Sequence, residues 1–279
     1  MIELPDQEVH VLDRDPLDRS AEGSRTPLLF LHGGAVDSRM WEPQLAAFPE
    51  HRVLAADARG HGRSSDASAP YRLADDAVAL LDALEIDRAV LIGISMGGGT
   101  AVDVALEHPG RAAALVVSGT GTSEPHFTEP WALQTFADWK AAESGGDLEA
   151  WVEVFMRFTA GPDRKGTDVD PGVWELVARM ARETVLNHLR TDENGTPLPP
   201  VPPTPVTGTW ERLADIGIPV LALPGAVDGV DHRGMGRELA DAVPDGEYRE
   251  IADSAHYPNL ENPSAFHAAI EDFLALHGM

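Results

Sequence analysis

Ser95 stands in Gly93-Ile94-Ser95-Met96-Gly97, a single hydroxyl with a glycine two positions away on either side. The apolar run Val90 to Ile94 precedes it, and residues with helical spacing, Thr100 to Leu106, follow. A strand that turns directly into a helix strains the backbone at the bend, and the glycines remove Cβ atoms that would collide there. The serine is then presented on a tip at a helix N-terminus, where free N–H groups favour developing negative charge. A hydroxyl so placed is suited to nucleophilic attack.

Three other segments supply what such a nucleophile needs. His256, in Asp253-Ser254-Ala255-His256-Tyr257-Pro258, comes just after the last expected strand and would reach Ser95 across the sheet edge as a base. Asp228 ends Gly225-Ala226-Val227-Asp228, directly after the apolar run Val220–Leu223. Open α/β sheets place functional groups at such strand ends, so Asp228 is the preferred acid and Asp231, three residues on, its competitor. The third segment, His32-Gly33-Gly34, follows the run Leu28–Leu31. There the backbone N–H of Gly34, with that of Met96, could hold an oxyanion, since such donors are fixed before charge develops. His32 itself is expected to shape the loop. A free imidazole titrates near pH ~6.5, and the nearby Asp228 and the acidic chain favour the cation, raising the expected value for His256.

The elements that must carry these groups alternate. Residues 8–13 alternate like an opening strand, and continuous apolar runs occupy Leu28–Leu31, Val53–Ala56, Val90–Ile94 and Ala113–Val117. Helical spacing fills 73–84 and 96–107, and strand and helix patterns return at 220–223, 233–242, 248–251 and 263–276. Strands without polar alternation, separated by helices, imply a mostly parallel sheet covered on both faces. The chain is therefore read as α/β, with a core of residues 1–121 and 210–279. Residues 122–209 break the pattern with helical stretches near 131–143, 147–159 and 171–189, and an all-helical insertion of this kind is most simply a lid. The segment ends at 197–205, a run in which six of nine residues are proline, which suits a stiff connector. It holds four of the six tryptophans and four of the eight phenylalanines. Trp131, Trp151, Phe155 and Trp174 are the candidate substrate contacts, with Trp151, Phe155 and Phe158 on one helical face.

The bulk properties narrow the partners. A net charge of −25, spread along the chain, repels nucleic acid and anionic lipid surfaces. The absence of cysteine excludes disulfides, thiolate metal sites and cysteine nucleophiles. No apolar run is long enough for a membrane span and the N-terminus lacks a signal pattern, so a cytoplasmic location and a small-molecule substrate are expected.

With these pieces in place, the chain resembles the α/β-hydrolase fold family from about residue 25 to its C-terminus. The resemblance rests on His32-Gly33-Gly34, Asp57-Ala58-Arg59-Gly60-His61-Gly62-Arg63-Ser64, Gly93 to Gly97, Gly225 to Asp228, and His256. Residues 256–266 resemble the branch holding 3-oxoadipate enol-lactonases and related carboxylic-ester hydrolases. The resemblance implies a helical lid inserted in the core. It also implies Ser95, Asp228 and His256 as nucleophile, acid and base, Gly34 and Met96 as the oxyanion hole, and no cofactor or metal. Asp57 to Ser64 is usually a structural loop in that family, which leaves Arg59 and His61 outside the chemistry. The implied activity is hydrolysis of a small, largely apolar ester or lactone. Carbon–carbon bond hydrolysis and cofactor-free perhydrolysis on the same triad are the enzymatic alternatives, and a non-catalytic ligand-binding role is the alternative of another class. Nothing in 122–209 marks a dicarboxylate-binding set, although Arg157, Arg164, Arg179, Arg182 and His188 could supply one.

Overall fold

The computed structural model describes residues 1–17, 25–191, 193–194, 197–198 and 200–279. Its strands are β1 (Ile2–Leu4), β2 (Gln7–Val9), β3 (Val11–Arg14), β4 (Leu28–Leu31), β5 (Val53–Ala56), β6 (Ala89–Ile94), β7 (Ala112–Ser118), β8 (Arg190–Thr191), β9 (Pro197–Leu198), β10 (Val220–Ala222) and β11 (Gly246–Tyr248). The helices are α1 (Glu42–Leu45), α2 (Leu73–Ala83), α3 (Met96–Glu107), α4 (Pro130–Gly145), α5 (Leu148–Ala160), α6 (Pro171–His188), α7 (Val230–Ala242), α8 (Pro258–Glu261) and α9 (Pro263–Leu276). Seven strands form the central sheet in the order β11-β10-β7-β6-β4-β5-β3. All its neighbours run parallel except β3, which joins β5 antiparallel at the edge.

The unbroken apolar runs follow from burial on both faces. Along β4, Leu28 and Phe30 enter one core with Trp41 and Phe266, while Leu29 enters the other with Leu80 and Leu239. The same division separates Val90 and Ile92 from Leu91 in β6. Side chains alternate sides along a strand, so only a sheet covered twice demands apolar residues at every position.

Two strand expectations change. Residues 8–13 are not one strand: β2 pairs with β1 in a hairpin, and β3 joins the main sheet. Between them, the His10 N–H donates to Ser64 Oγ and its carbonyl accepts from the Asp57 N–H, so the 57–64 loop interrupts the ladder. The last strand ends at Tyr248 rather than Ile251. Pro224, beyond β10, has no N–H to offer, and regular pairing gives way to a single bridge between Gly225 and Ile251.

Residues 122–209 contain α4, α5 and α6. The expected helices are present, each within two or three residues of its expected bounds. Asp147 and Asp170 cap the latter two by accepting backbone N–H bonds. In the proline-rich stretch Pro199 lies outside the described residues, β9 makes a two-residue antiparallel pair with β8, and 203–205 line a cavity shared with Ser95 and the start of α3. Among the described residues no helix is long and apolar enough to cross a membrane.

Candidate active site

Ser95 links β6 to α3 with φ 55° and ψ −116°, a conformation rare for a residue bearing a side chain. Its N–H donates to the Ser118 carbonyl of β7 at 2.8 Å, and its carbonyl opens α3 by accepting from Gly99 at 3.0 Å. The flanking glycines are there for space. A Cβ on Gly93 would strike the Gly97 backbone, and one on Gly97 would strike the Leu31 carbonyl of β4. The bend therefore fits only where two chain segments pass without side chains.

Gly34 and Met96 stand with Ser95 on the wall of one cavity of about 490 Å³. Among the described residues neither backbone N–H has a protein acceptor. His32, just before Gly34, takes a structural place. The Ala58 N–H donates to its Nε2 at 2.8 Å, so the ring proton sits on Nδ1 and bonds the Gly33 carbonyl at 2.7 Å. Burial lowers the His32 pKa. His61 is half-buried, and its pKa falls to about 3, mainly through desolvation. Arg59 is occupied by Asp76 and Asp6.

The two competing carboxylates separate cleanly. Asp228 is buried beyond β10, and its Oδ2 accepts from His256 Nδ1 at 3.0 Å. Asp231 instead accepts from the Thr128 and Glu129 N–H groups, fastening the start of α4. His256 lines the cavity, and with Nδ1–H committed to Asp228 its Nε2 is the basic atom. Its loop is anchored by Glu261, which accepts from the Ala255 N–H at 2.9 Å and pairs with Arg164 at 2.7 Å.

A second imidazole shares the carboxylate. His232, in the first turn of α7, donates from Nδ1 to Asp228 Oδ1 at 2.9 Å, and the Gly229 N–H meets the same oxygen at 2.8 Å. Its ring lies 4.7 Å from that of His256, centroid to centroid, and also lines the cavity. In the sequence His232 carries no signal beyond an Asp-x-x-x-His spacing across a helix start. Burial disfavours the Asp228 anion, but the two imidazoles outweigh it and hold the carboxyl well below the usual range. For His256 the balance reverses: burial lowers its pKa against the pull of Asp228. This corrects the expected upward shift, because desolvation outweighs the carboxylate when the ring is fully enclosed.

The donor atoms of Asp228, His232 and His256 lie within 4.8 Å of one another, as metal ligands would. Each Nδ1 proton is already spent on the carboxylate, so a cation there would have to displace both hydrogen bonds.

The aromatic wall differs from the expected one. Trp151 and Phe155 line the cavity, joined by Phe127, Phe136, Trp139 and Phe158. Trp131 does not: it stacks behind Phe158 at 6.0 Å, against Gly229. Trp174 does not either, because α6 turns it onto Gly166. Helical spacing allowed both, but the packing of α4 on α5 and of α6 on the 166–168 turn directs these rings elsewhere. Arg157 pairs with Asp138, Arg182 with Glu149 and His188 with Asp66. Among the described residues no Arg or Lys lines the cavity.

Comparison with known proteins agrees with this architecture. 3-Oxoadipate enol-lactonase 2 of Acinetobacter baylyi is 30% identical over 254 residues, 90% of this chain and 89% of that protein. The enol-lactonase structure from Burkholderia xenovorans superposes with a TM-score of 0.74 at 26% identity, covering 98% of both chains. A solved N-acyl homoserine lactone degrading enzyme gives 0.73 at 27% identity, covering 98% of this chain and 99% of that one. The alpha/beta hydrolase fold family matches residues 26–263, and this chain belongs to that family.

Proposed function

We propose that this protein is a serine hydrolase that cleaves small, largely apolar carboxylic esters or lactones through an acyl-enzyme on Ser95. The observation that carries the reading is a single cavity wall holding Ser95 and His256, with buried Asp228 bonded at 3.0 Å to the far side of the imidazole. Hydrolysis of ester bonds is also the activity named for the lactonases to which the chain is similar.

In this reading His256 Nε2 takes the Ser95 proton as Oγ attacks the carbonyl carbon. The imidazolium that forms is stabilised by Asp228, whose carboxylate is held ionised and fixed by His232. The N–H groups of Gly34 and Met96 receive the oxyanion. As the tetrahedral intermediate collapses, the imidazolium returns its proton to the departing alkoxide, which stays tethered when the substrate is a lactone. Water then repeats the sequence and frees the acid. Residues 122–209 act as a lid over a core of 1–121 and 210–279, excluding bulk water and presenting the aromatic wall.

The cavity favours an apolar acyl group. At ~25 cal/mol per Å², an aromatic or cyclic group that buries ~80 Å² more than acetyl gains ~2 kcal/mol. Among the described residues a dicarboxylate would meet no Arg or Lys on the wall. The test is a panel of p-nitrophenyl esters, lactones and thioesters, including one neutral lactone matched to its carboxylated analogue. Turnover with higher kcat/KM for cyclic or aryl acyl groups than for acetate, and for the neutral lactone, is expected. Stoichiometric binding without turnover across the panel, or a clear preference for the carboxylated lactone, contradicts the reading.

A further inference from the structure

Two turns along α3 from the serine bend, Asp103 forms part of the same cavity wall. At 1.5 Å rise per residue its Cα lies ~10 Å along the helix axis from that of Met96. The side chain is only 7% exposed, and one hydrogen bond, from Ser123 Oγ to Oδ1 at 2.6 Å, is its sole partner among the described residues. The cation nearby, Arg212, is taken by Glu107 at 2.7 Å and by the Leu106 carbonyl. Arg72 also pairs with Glu107, at 3.1 Å, and Glu124 adds a further negative charge near Asp103. A carboxylate enclosed beside other carboxylates, without a counter-charge of its own, is an expensive arrangement. Burial and these neighbours push its pKa up to about 6.

The surroundings share one preference. Seven Phe, Trp and Tyr side chains line the cavity, and their ring faces attract cations. No Arg or Lys competes on the wall among the described residues, and the chain as a whole carries a charge of −25, which draws cations from a distance. We propose that the cavity selects esters and lactones bearing an ammonium group, with Asp103 and the aromatic wall as the cation subsite. This rests on the cavity being the acyl-transfer site. The alternative role for Asp103, a bolt holding the 120–125 segment through Ser123, requires neither a negative charge nor a place on the wall.

Three isosteric probes separate the two roles by calorimetric titration of the full-length protein at pH 8: 4-phenylbutylammonium, 4-phenylbutanol and 4-phenylbutyrate. The ammonium compound is expected to bind at least about tenfold more tightly than the alcohol, with the carboxylate weakest. Asp103→Asn should collapse the ammonium-to-alcohol ratio to within about threefold, whereas Ser123→Ala, which removes the bolt but keeps the charge, should preserve it. In the wild type the ratio should fall as pH drops through about 6, where Asp103 takes up a proton and the ligand keeps its own. Protonation of His232 or His256 across the cavity would weaken ammonium binding in both proteins, so the wild-type-minus-Asp103→Asn difference isolates Asp103. Equal binding of alcohol and ammonium, or a preference that survives Asp103→Asn, overturns the subsite. Should Asp103→Asn not fold, retention of the preference in Ser123→Ala still supports it, and loss there overturns it. Ester turnover that persists in Ser95→Ala would overturn the acyl-transfer reading while leaving this binding result intact.

Discussion

The carboxyl end of the sheet and the helical segment 122–209 meet at one cavity but are built by different rules. At the sheet end, direction is set by the backbone. Ser95 is held by β6, β7 and the start of α3, Gly34 follows β4, and Asp228 follows β10. Each of these strands is clamped by two cores, so a group at its tip has little freedom. In the helical segment, direction is set by side-chain packing. Trp139 meets Trp151 at 5.2 Å and Phe155 at 5.6 Å, and Phe158 reaches down to His256 at 4.9 Å. Rings of the same type one or two turns away face elsewhere. On the proposed reading, bond-making falls to the strand tips and selection to the packed helices, so substitutions in the first region should act on kcat and those in the second on KM.

The sharpest contrast is expected at the acid. Asp228→Asn should cut kcat by about three orders of magnitude or more, because it deprives His256 of its orienting anion. Asp231→Asn, which only loosens the start of α4, should stay within about tenfold of wild type. The reverse result in steady-state ester hydrolysis would move the acid to position 231.

A smaller effect belongs to His232. His232→Phe leaves Asp228 with one imidazole donor fewer, and a loss of roughly tenfold in kcat with little change in KM is expected for a charged hydrogen bond of this kind. A change confined to KM would make His232 a wall residue only. Among the tryptophans, Trp139→Ala should raise KM for an aryl ester ~5-fold while kcat holds, given the apolar area it contributes. Trp174→Ala should leave KM within about twofold, since its ring packs on Gly166. Equal effects at the two positions would erase the division between the regions.

The smallest expected effect is the position of a pH limb. His256 must be neutral to act as base, and burial depresses its pKa, so kcat/KM should hold down through pH 6.5 and fall only below it. Folding stability moves the same way. His32, His61 and His256 resist protonation in the folded state. The unfolded chain therefore takes up more protons below about pH 6.5, and stability falls as pH drops through that value. A limb centred above pH 7 would show that Asp228 outweighs burial.

Most of the sheet end was legible because strand tips and glycine pairs leave a linear signature. Continuous apolar runs reported double burial, and the spacing of Gly93 and Gly97 reported a bend with no room for side chains. The order of Asp228 and Asp231 after a strand was enough to prefer the residue that meets His256. What escaped depends on packing. Trp131 and Trp174 have helical positions as suitable as Trp139, and only the contacts between α4, α5 and α6 decide which rings face inward. His232 was missed because its partner lies before the helix begins, and the direction of the His256 shift because enclosure has no sequence signature. Asp103 carries no sequence signal, since only its bond from Ser123 and its place on the cavity wall set it apart from other helix carboxylates.

The central claim is that Ser95 is the residue that becomes acylated, and covalent trapping tests it most directly. The wild-type protein and Ser95→Ala should be incubated with a fluorophosphonate, digested, and mapped by peptide mass spectrometry alongside ester kinetics. The account predicts stoichiometric modification on the peptide containing Ser95, no labelling of Ser95→Ala, and a fall in kcat of at least about three orders of magnitude in that variant. Labelling that maps to another residue, or that persists with turnover in Ser95→Ala, would contradict it.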